Sequence, residues 1–193
     1  MTNAGVFLVQ TLFGLYLMLV IIRFMLQLAK ADFYNPLAQA VVKLTQPFVG
    51  PIQKIMPKTG RFSLATLVWA FVVQMVLIVL VLLIAGFGLP NPVNLAIWSL
   101  IGLGSQVLDL LFFAILATIV LSWLAPQANH PGVVLLQQLT EPVMAPVRRM
   151  LPNLGGLDFS PIVVFIIINL LNMLVIQGLA QSFGMPRGLV MGL

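Results

Sequence analysis

Residues 45–57 read TQPFVGPIQKIMP and combine the apolar spacing of an amphipathic helix with three prolines. A second copy, TEPVMAPVRRMLP, occupies residues 140–152, with the threonine and all three prolines at the same places, 95 residues further on. A proline inside a helix removes an N–H donor and clashes with the preceding turn. The repeated pattern therefore predicts an internal duplication built around a shaped helical segment.

Each residue type in this motif predicts one feature of the segment. The threonines are predicted to cap a helix, and the prolines to start it, bend it and end it in turn. Each segment is thus predicted to be two short helices joined by an elbow at the threonine. The residues concerned are Thr45, Pro47, Pro51 and Pro57 in the first copy and Thr140, Pro142, Pro146 and Pro152 in the second.

The composition indicates an integral membrane protein. Of 193 residues, 61% are hydrophobic and 7% are charged, whereas a soluble domain carries about 25% charged residues. The net charge of +5 is expected to attract anionic lipid headgroups, and no nucleic-acid partner is expected. The chain has no cysteine and one histidine, and no cofactor or metal site is predicted.

Four stretches are long and apolar enough to cross a bilayer, which takes roughly 20 residues. The predicted fold is an all-α integral membrane protein whose four transmembrane helices form two parallel repeats. Each repeat has a kinked amphipathic interfacial helix between its spans. The first repeat covers 1–90, with spans at about 6–28 and 62–87 and an interfacial segment at 36–57. The second covers 91–193, with spans at about 101–125 and 161–182 and an interfacial segment at 131–152.

The motif T-x-P-x-x-x-P-x-x-[KR]-x-x-P, followed by GGLDFSP at 155–161, resembles the YGGT-repeat family, as does LSWLAP at 121–126. The resemblance covers nearly the whole chain and adds Arg149, Asp158, Ser160 and Pro161 to the motif residues. It implies a multi-pass protein of the bacterial inner membrane without an established reaction. Some relatives are associated with the assembly of membrane complexes or with cell division.

The distribution of basic residues predicts the orientation. The connections that hold the interfacial segments carry Lys30, Lys43, Lys54, Lys58, Arg61, Arg148 and Arg149, whereas the opposite side has Arg187 alone. By the positive-inside rule, the interfacial segments are cytoplasmic and both termini lie outside. At the start of the second and fourth spans, Ser63 and Ser160 are predicted helix caps, and Arg61 is predicted to lie close to Asp158.

Five polar residues in the apolar stretches are candidates for function: Asp109, Arg23, Gln74, Asn169 and Asn172. Asp109 is either a proton or ion site inside the third span or a headgroup-level residue before a span that starts near residue 110. Arg23 is expected to snorkel towards the basic loop. The three amides are expected to form hydrogen bonds between helices more often than to line a pathway.

Two classes of function follow. The first is a non-enzymatic assembly or scaffold protein whose interfacial helices bind the membrane or an unidentified membrane protein. The alternative is a small transporter or channel that uses Asp109 and the intramembrane amides. Transport predicts polar residues at matching places in both repeats, but Asp109 aligns with Gly14, and Gln74 aligns with Leu171 when the second spans are offset by 97. This asymmetry favours the scaffold, and no enzyme is expected because no nucleophile–base pair is visible.

Overall fold

The computed structural model describes residues 4–56, 63–124, 130–151 and 158–189, and every regular element in these ranges is helical. The predicted all-α fold with four membrane spans is confirmed. The elements in chain order are α1 (Ala4–Leu28), α2 (Pro36–Ile55), α3 (Leu64–Ile84), α4 (Pro92–Leu124), α5 (Pro131–Met150), α6 (Ser160–Leu170), a π-helical segment (Leu171–Ile176) and α7 (Gln177–Ser182).

The helix that holds the third span starts before the predicted bounds of that span. Helix α4 begins at Pro92 and has 33 residues, so it is about 50 Å long at 1.5 Å per residue. The side chain of Asn91 accepts a hydrogen bond from the N–H of Val93 at 2.9 Å and caps the helix. The dipeptide Asn-Pro is a helix-start signal, and with this start Asp109 lies near the middle of the helix.

The interfacial segments differ from the predicted elbow, because α2 and α5 are each a continuous helix of 20 residues. Neither threonine is a cap: the Thr45 hydroxyl donates to the carbonyl of Val41 at 2.7 Å, and that of Thr140 donates to the carbonyl of Leu136 at 3.0 Å. The four internal prolines lie on the exposed side of their helices, where carbonyls without a helical partner stay accessible. They are Pro47, Pro51, Pro142 and Pro146.

The true caps of the interfacial helices are repeat-equivalent residues. Asn35 Oδ1 accepts from the N–H of Leu37 at 2.9 Å, and His130 Nδ1 accepts from the N–H of Gly132 at 3.2 Å. These caps are 95 residues apart in sequence, and a proline follows each as the first helical residue. The duplication is thus visible in the structure at residue level.

The spans form one bundle, with α2 and α5 across one end of it. Helix α1 packs against α3, α3 packs against α4, and the fourth span packs against α4. A central apolar cluster joins three spans through Leu17 and Val20 of α1, Ala70 and Val73 of α3, and Leu103 of α4. Pro57, Arg61 and Pro152 lie outside the described residues, so the predicted Arg61–Asp158 contact is not tested.

Candidate functional site

The two interfacial helices, α2 and α5, contact each other and form a single surface that we call the interfacial platform. The side-chain amide of Asn35 donates to the carbonyl of Pro131 at 2.7 Å, and the N–H of Asp32 donates to Gln138 Oε1 at 3.0 Å. Beneath these hydrogen bonds, Ala38 and Leu139 are buried together. The platform therefore ties one repeat to the other.

The outer side of the platform is both apolar and basic. Ile55 and Met150 are 86% and 83% exposed at the ends of the two helices. Three basic side chains, Lys43, Lys54 and Arg149, are also exposed, and no hydrogen bond or ion pair joins them to other described residues. Further exposed apolar residues are Leu37, Leu44 and Val134, whereas the ring of Phe48 packs against Tyr16 and Trp69 of the spans. Such a surface suits anionic headgroups and an apolar partner at the same time.

Arg23 reaches towards the basic connection as expected, but its head group is buried against α2 and does not snorkel into water. It is 3% exposed, and its guanidinium donates to the hydroxyl of Thr45 at 2.8 Å and to Gln46 Oε1 at 2.7 Å. The first two residues of the proline motif therefore hold a charge that comes from α1. The second copy lacks this contact because Thr118 stands 95 residues after Arg23.

A tether joins each interfacial helix to the start of the following span. In the first repeat, Gln53 Nε2 donates to the hydroxyl of Ser63 at 3.3 Å. In the second, Arg148 Nε donates to Asp158 Oδ2 at 3.1 Å. Both partners are offset by 95 residues, so Ser63 corresponds to Asp158 and not to Ser160.

The predicted caps at these span starts need correction. Ser63 is at the N-cap position, but its side chain makes no cap hydrogen bond. Ser160 is the first helical residue, and its N–H donates to Asp158 Oδ1 at 2.9 Å. Partial burial works to raise the pKa of Asp158, but hydrogen bonding to Ser160 and the charge of Arg148 outweigh it and hold that pKa below its usual 3.8.

A cavity of about 330 Å³ lies between α1 and α4, and Asp109 lines it. The other polar residues at its wall are Gln10, Thr11 and Gln106, and the remainder is apolar apart from Gly14. The structure thus brings Asp109 and Gly14 to one cavity, although sequence comparison used them as evidence of asymmetry.

The predicted amides behave differently from one another. Gln74 is fully buried and accepts a hydrogen bond from Gln106 Nε2 at 3.0 Å, which is the expected contact between helices. Asn169 is exposed and donates to the carbonyl of Phe165 in its own helix. Asn172 lies in the π-helical segment, and its buried Oδ1 has no hydrogen-bond partner in the part of the chain that the structure describes. A π-helical turn often marks a functional position.

The burial pattern also corrects the alignment of the second spans. At an offset of 95, the buried residues Ala65, Val73 and Val81 of α3 align with Ser160, Ile168 and Ile176, which are buried too. Gln74 then corresponds to Asn169, an amide, and not to Leu171. Two polar positions, Gln74/Asn169 and Thr11/Gln106, are therefore matched between the repeats.

Several residues of the site are absent from the sequence predictions. At the repeat offset of 95, Thr11 of α1 aligns with Gln106 of α4. This pair of polar residues in two apolar spans is a sequence signal for the cavity. The ion pair of Arg148 with Asp158 is not predicted from the sequence, because an offset of 97 aligns Asp158 with Arg61 and not with Ser63. Among the described residues, no group of three or more His, Asp or Glu side chains is placed to hold a metal ion.

Comparison with known proteins is consistent with the duplicated architecture. The profile of the CCB3/YggT family matches residues 2–84 and again residues 97–179. An uncharacterized protein of Pseudomonas aeruginosa is 45% identical over 190 residues, which cover 98% of this chain and 96% of the relative. An uncharacterized protein of Vibrio alginolyticus is 42% identical over 89% of this chain and 93% of its own length.

The uncharacterized protein YggT of Escherichia coli K12 is 34% identical over 185 residues, which cover 95% of each chain. No solved structure matches the chain significantly. The family profile covers most of the chain in two segments, and several relatives align over nearly its full length. The chain is a membrane protein of the CCB3/YggT family.

Proposed function

We propose that this chain is a non-enzymatic assembly or scaffold protein whose interfacial platform docks a membrane protein partner at a surface of anionic lipid. The observation that carries the proposal is the direct joining of α2 to α5 by the Asn35–Pro131 and Asp32–Gln138 hydrogen bonds. These contacts connect the two repeats at the side that exposes apolar and basic residues, so the platform is a pre-organised surface. Pre-organisation lowers the entropy that a partner must lose on binding.

The charge and apolarity of the platform support this partner class. Lys43, Lys54 and Arg149 are available to lipid headgroups, and each basic residue near an anionic surface contributes about 1 kcal/mol. Ile55 and Met150 are exposed near the ends of their helices, so they are available for apolar contact with a partner protein.

Photo-crosslinking in native membranes tests the proposal. A photoreactive residue at position 55 or 150 is expected to form protein adducts, which mass spectrometry identifies. The same residue at position 12 or 174, where exposed apolar side chains lie on the spans, is expected to label lipid. Equal protein adducts at all four positions, or none at 55 and 150, would contradict the platform as a docking surface.

A matched pair of variants tests whether partner docking depends on the hydrogen bonds between α2 and α5. Gln138→Leu removes the acceptor for the N–H of Asp32, and it is expected to lower the adduct yield at positions 55 and 150. Gln137→Leu changes the exposed neighbour and is expected to leave the yield unchanged. An unaltered yield in Gln138→Leu would show that the two helices act independently.

A small transporter or channel is the second candidate, and the cavity at Asp109 is the observation that favours it. Polar residues matched between the repeats, such as Thr11 and Gln106, add to this support. Solute flux into proteoliposomes tests this alternative. If Asp109→Asn abolishes the flux and Asp158→Asn leaves it intact, the protein is a transporter and not a scaffold.

A further inference from the structure

The cavity at Asp109 lies where the two repeats meet. Its wall includes both members of four residue pairs that are 95 positions apart. Equivalent positions of the two repeats therefore line one cavity, where α1 lies next to α4. The pairs are Thr11/Gln106, Gly14/Asp109, Leu15/Leu110 and Met18/Phe113.

The depth and size of this cavity suit a small ligand. Asp109 is about 25 Å along α4 from its first residue, at 1.5 Å per residue, near the middle of the helix. Duplicated membrane proteins bind ligands at this depth between their repeats. The volume of about 330 Å³ falls in the range of small-molecule sites, which is about 300–1,000 Å³.

The mouth of the cavity opens on the lipid-facing surface. Leu15, Met18 and Phe113 line the cavity and are 60%, 43% and 62% exposed. A ligand can therefore enter sideways from the bilayer, and its body must be apolar to match these walls.

Most of the polar groups left free in the cavity are hydrogen-bond acceptors. Asp109 makes no hydrogen bond or ion pair with any residue that the structure describes. Gln106 uses one side-chain N–H on Gln74, and Gln10 donates to the carbonyls of Gly188 at 2.7 Å and Leu189 at 3.4 Å. The hydroxyl of Thr11 donates to the carbonyl of Phe7 at 2.8 Å. What remains free is one carboxyl group, two amide oxygens and the second side-chain N–H of Gln106, so acceptors predominate and a matching ligand must donate.

We propose that this cavity binds a membrane-dissolved amphiphile with a single apolar chain and a protonated primary amine at its polar end. An ammonium group has three N–H donors, and the wall offers Asp109 and the amide oxygens of Gln106 and Gln10. Its charge also neutralises the carboxylate, which is costly to hold unpaired in an apolar span. The apolar chain lies along Leu15, Met18 and Phe113. This inference does not depend on the platform being a docking surface.

Binding of decylamine to the purified full-length protein tests the proposal, with decanol as the probe of equal chain length that lacks the charge. Titration calorimetry is expected to show saturable binding of decylamine at least tenfold tighter than that of decanol. Asp109→Asn is expected to weaken decylamine binding at least tenfold, as for the loss of one charged hydrogen bond. Asp158→Asn, at an exposed carboxylate outside the cavity, is expected to bind as the unaltered protein does.

A second variant blocks the cavity and keeps the carboxylate. A Cβ built on Gly14 meets no heavy atom within 4 Å beyond its own stretch of helix, so a leucine side chain there starts in open space, and Gly14→Leu is expected to fill the cavity and abolish binding. Gly178 also has open space around its Cβ, and Gly178→Leu is the matched control that should bind normally. The elution volume and the unfolding midpoint show whether each variant is folded. If Asp109→Asn does not fold, the binding result of Gly14→Leu tests the proposal by itself.

Three results would overturn the proposal. The first is unchanged decylamine binding in folded Gly14→Leu. The second is equal affinity for decanol and decylamine, or no effect of Asp109→Asn. The third is efficient crosslinking between two copies through Phe113→Cys, which would show that a second chain fills the groove.

Discussion

The guanidinium of Arg23 on α1 donates a hydrogen bond to the hydroxyl of Thr45 on α2 at 2.8 Å, and both residues are buried. The first residue of the proline motif therefore holds a span to an interfacial helix. Thr140, its counterpart, is equally buried but bonds only to carbonyls of its own helix, those of Leu136 and Gln137. The two copies of one motif thus have different roles.

This difference predicts unequal stability effects. Thr45→Val keeps the shape of the side chain but leaves the buried Arg23 with one acceptor fewer, so it should lower the free energy of unfolding by about 1–2 kcal/mol. Thr140→Val removes no contact between helices and should cost about 0.5 kcal/mol or less. Reversible unfolding in bicelles measures both, and equal losses would mean that the Arg23 contact adds no stability.

The tether between Arg148 and Asp158 predicts a small, pH-dependent effect. Their side chains are 48% and 44% exposed, so Asp158→Asn should lower stability by less than about 1 kcal/mol. The pKa of Asp158 in the folded protein lies below its usual 3.8. The stabilisation is therefore complete above pH 3.8 and is lost as the pH falls through the lower folded value.

Unfolding of both proteins between pH 3 and 7 checks this sign. The difference between wild type and Asp158→Asn should persist at neutral pH and begin to shrink as the pH falls below 3.8. Ser63→Ala removes the uncharged tether of the first repeat and provides a control without pH dependence in this window. A difference that grows in acid would contradict the ion pair as its source.

The internal prolines predict a change in local helix protection. Pro51→Ala with Pro146→Ala restores two N–H donors in α2 and α5, so amide exchange after these positions should slow while the four spans still insert. Pro36→Ala with Pro131→Ala is the matched control at the first helical residues, where an N–H has no partner and exchange should not change. Failure of the first pair to insert would mean that the internal prolines guide assembly.

The distribution of basic residues predicts which side of the membrane the platform faces. Because α2 contacts α5, both basic connections lie at one side of the bundle, and the positive-inside rule places that side in the cytoplasm. Alkaline phosphatase fused to the C-terminus should be active, and green fluorescent protein at the same place should stay dark. The reverse pattern would place the platform outside the cell.

The sequence by itself determined the composition class, the four apolar helices and the duplication. A membrane span can be predicted from the length and apolarity of a stretch, which are local properties. Pro36 and Pro131 likewise mark the first residues of the two interfacial helices. The prediction of an elbow at Thr45 was wrong. It rested on the preference of threonine for helix caps, but Thr45 lies inside a continuous helix, where its hydroxyl accepts a hydrogen bond from Arg23. The start of α4 at Pro92 was missed although Asn91 signals it locally.

Only the tertiary structure decided which residues meet. Asp109 and Gly14 occupy equivalent places in the two repeats but differ in chemistry, and only the packing of α1 near α4 shows that both line one cavity. The Gln74–Gln106 hydrogen bond and the joining of α2 to α5 likewise depend on how helices pack. Periodicity specifies which side of a helix is apolar, but the partner of that side depends on side-chain shapes that are distant in the sequence.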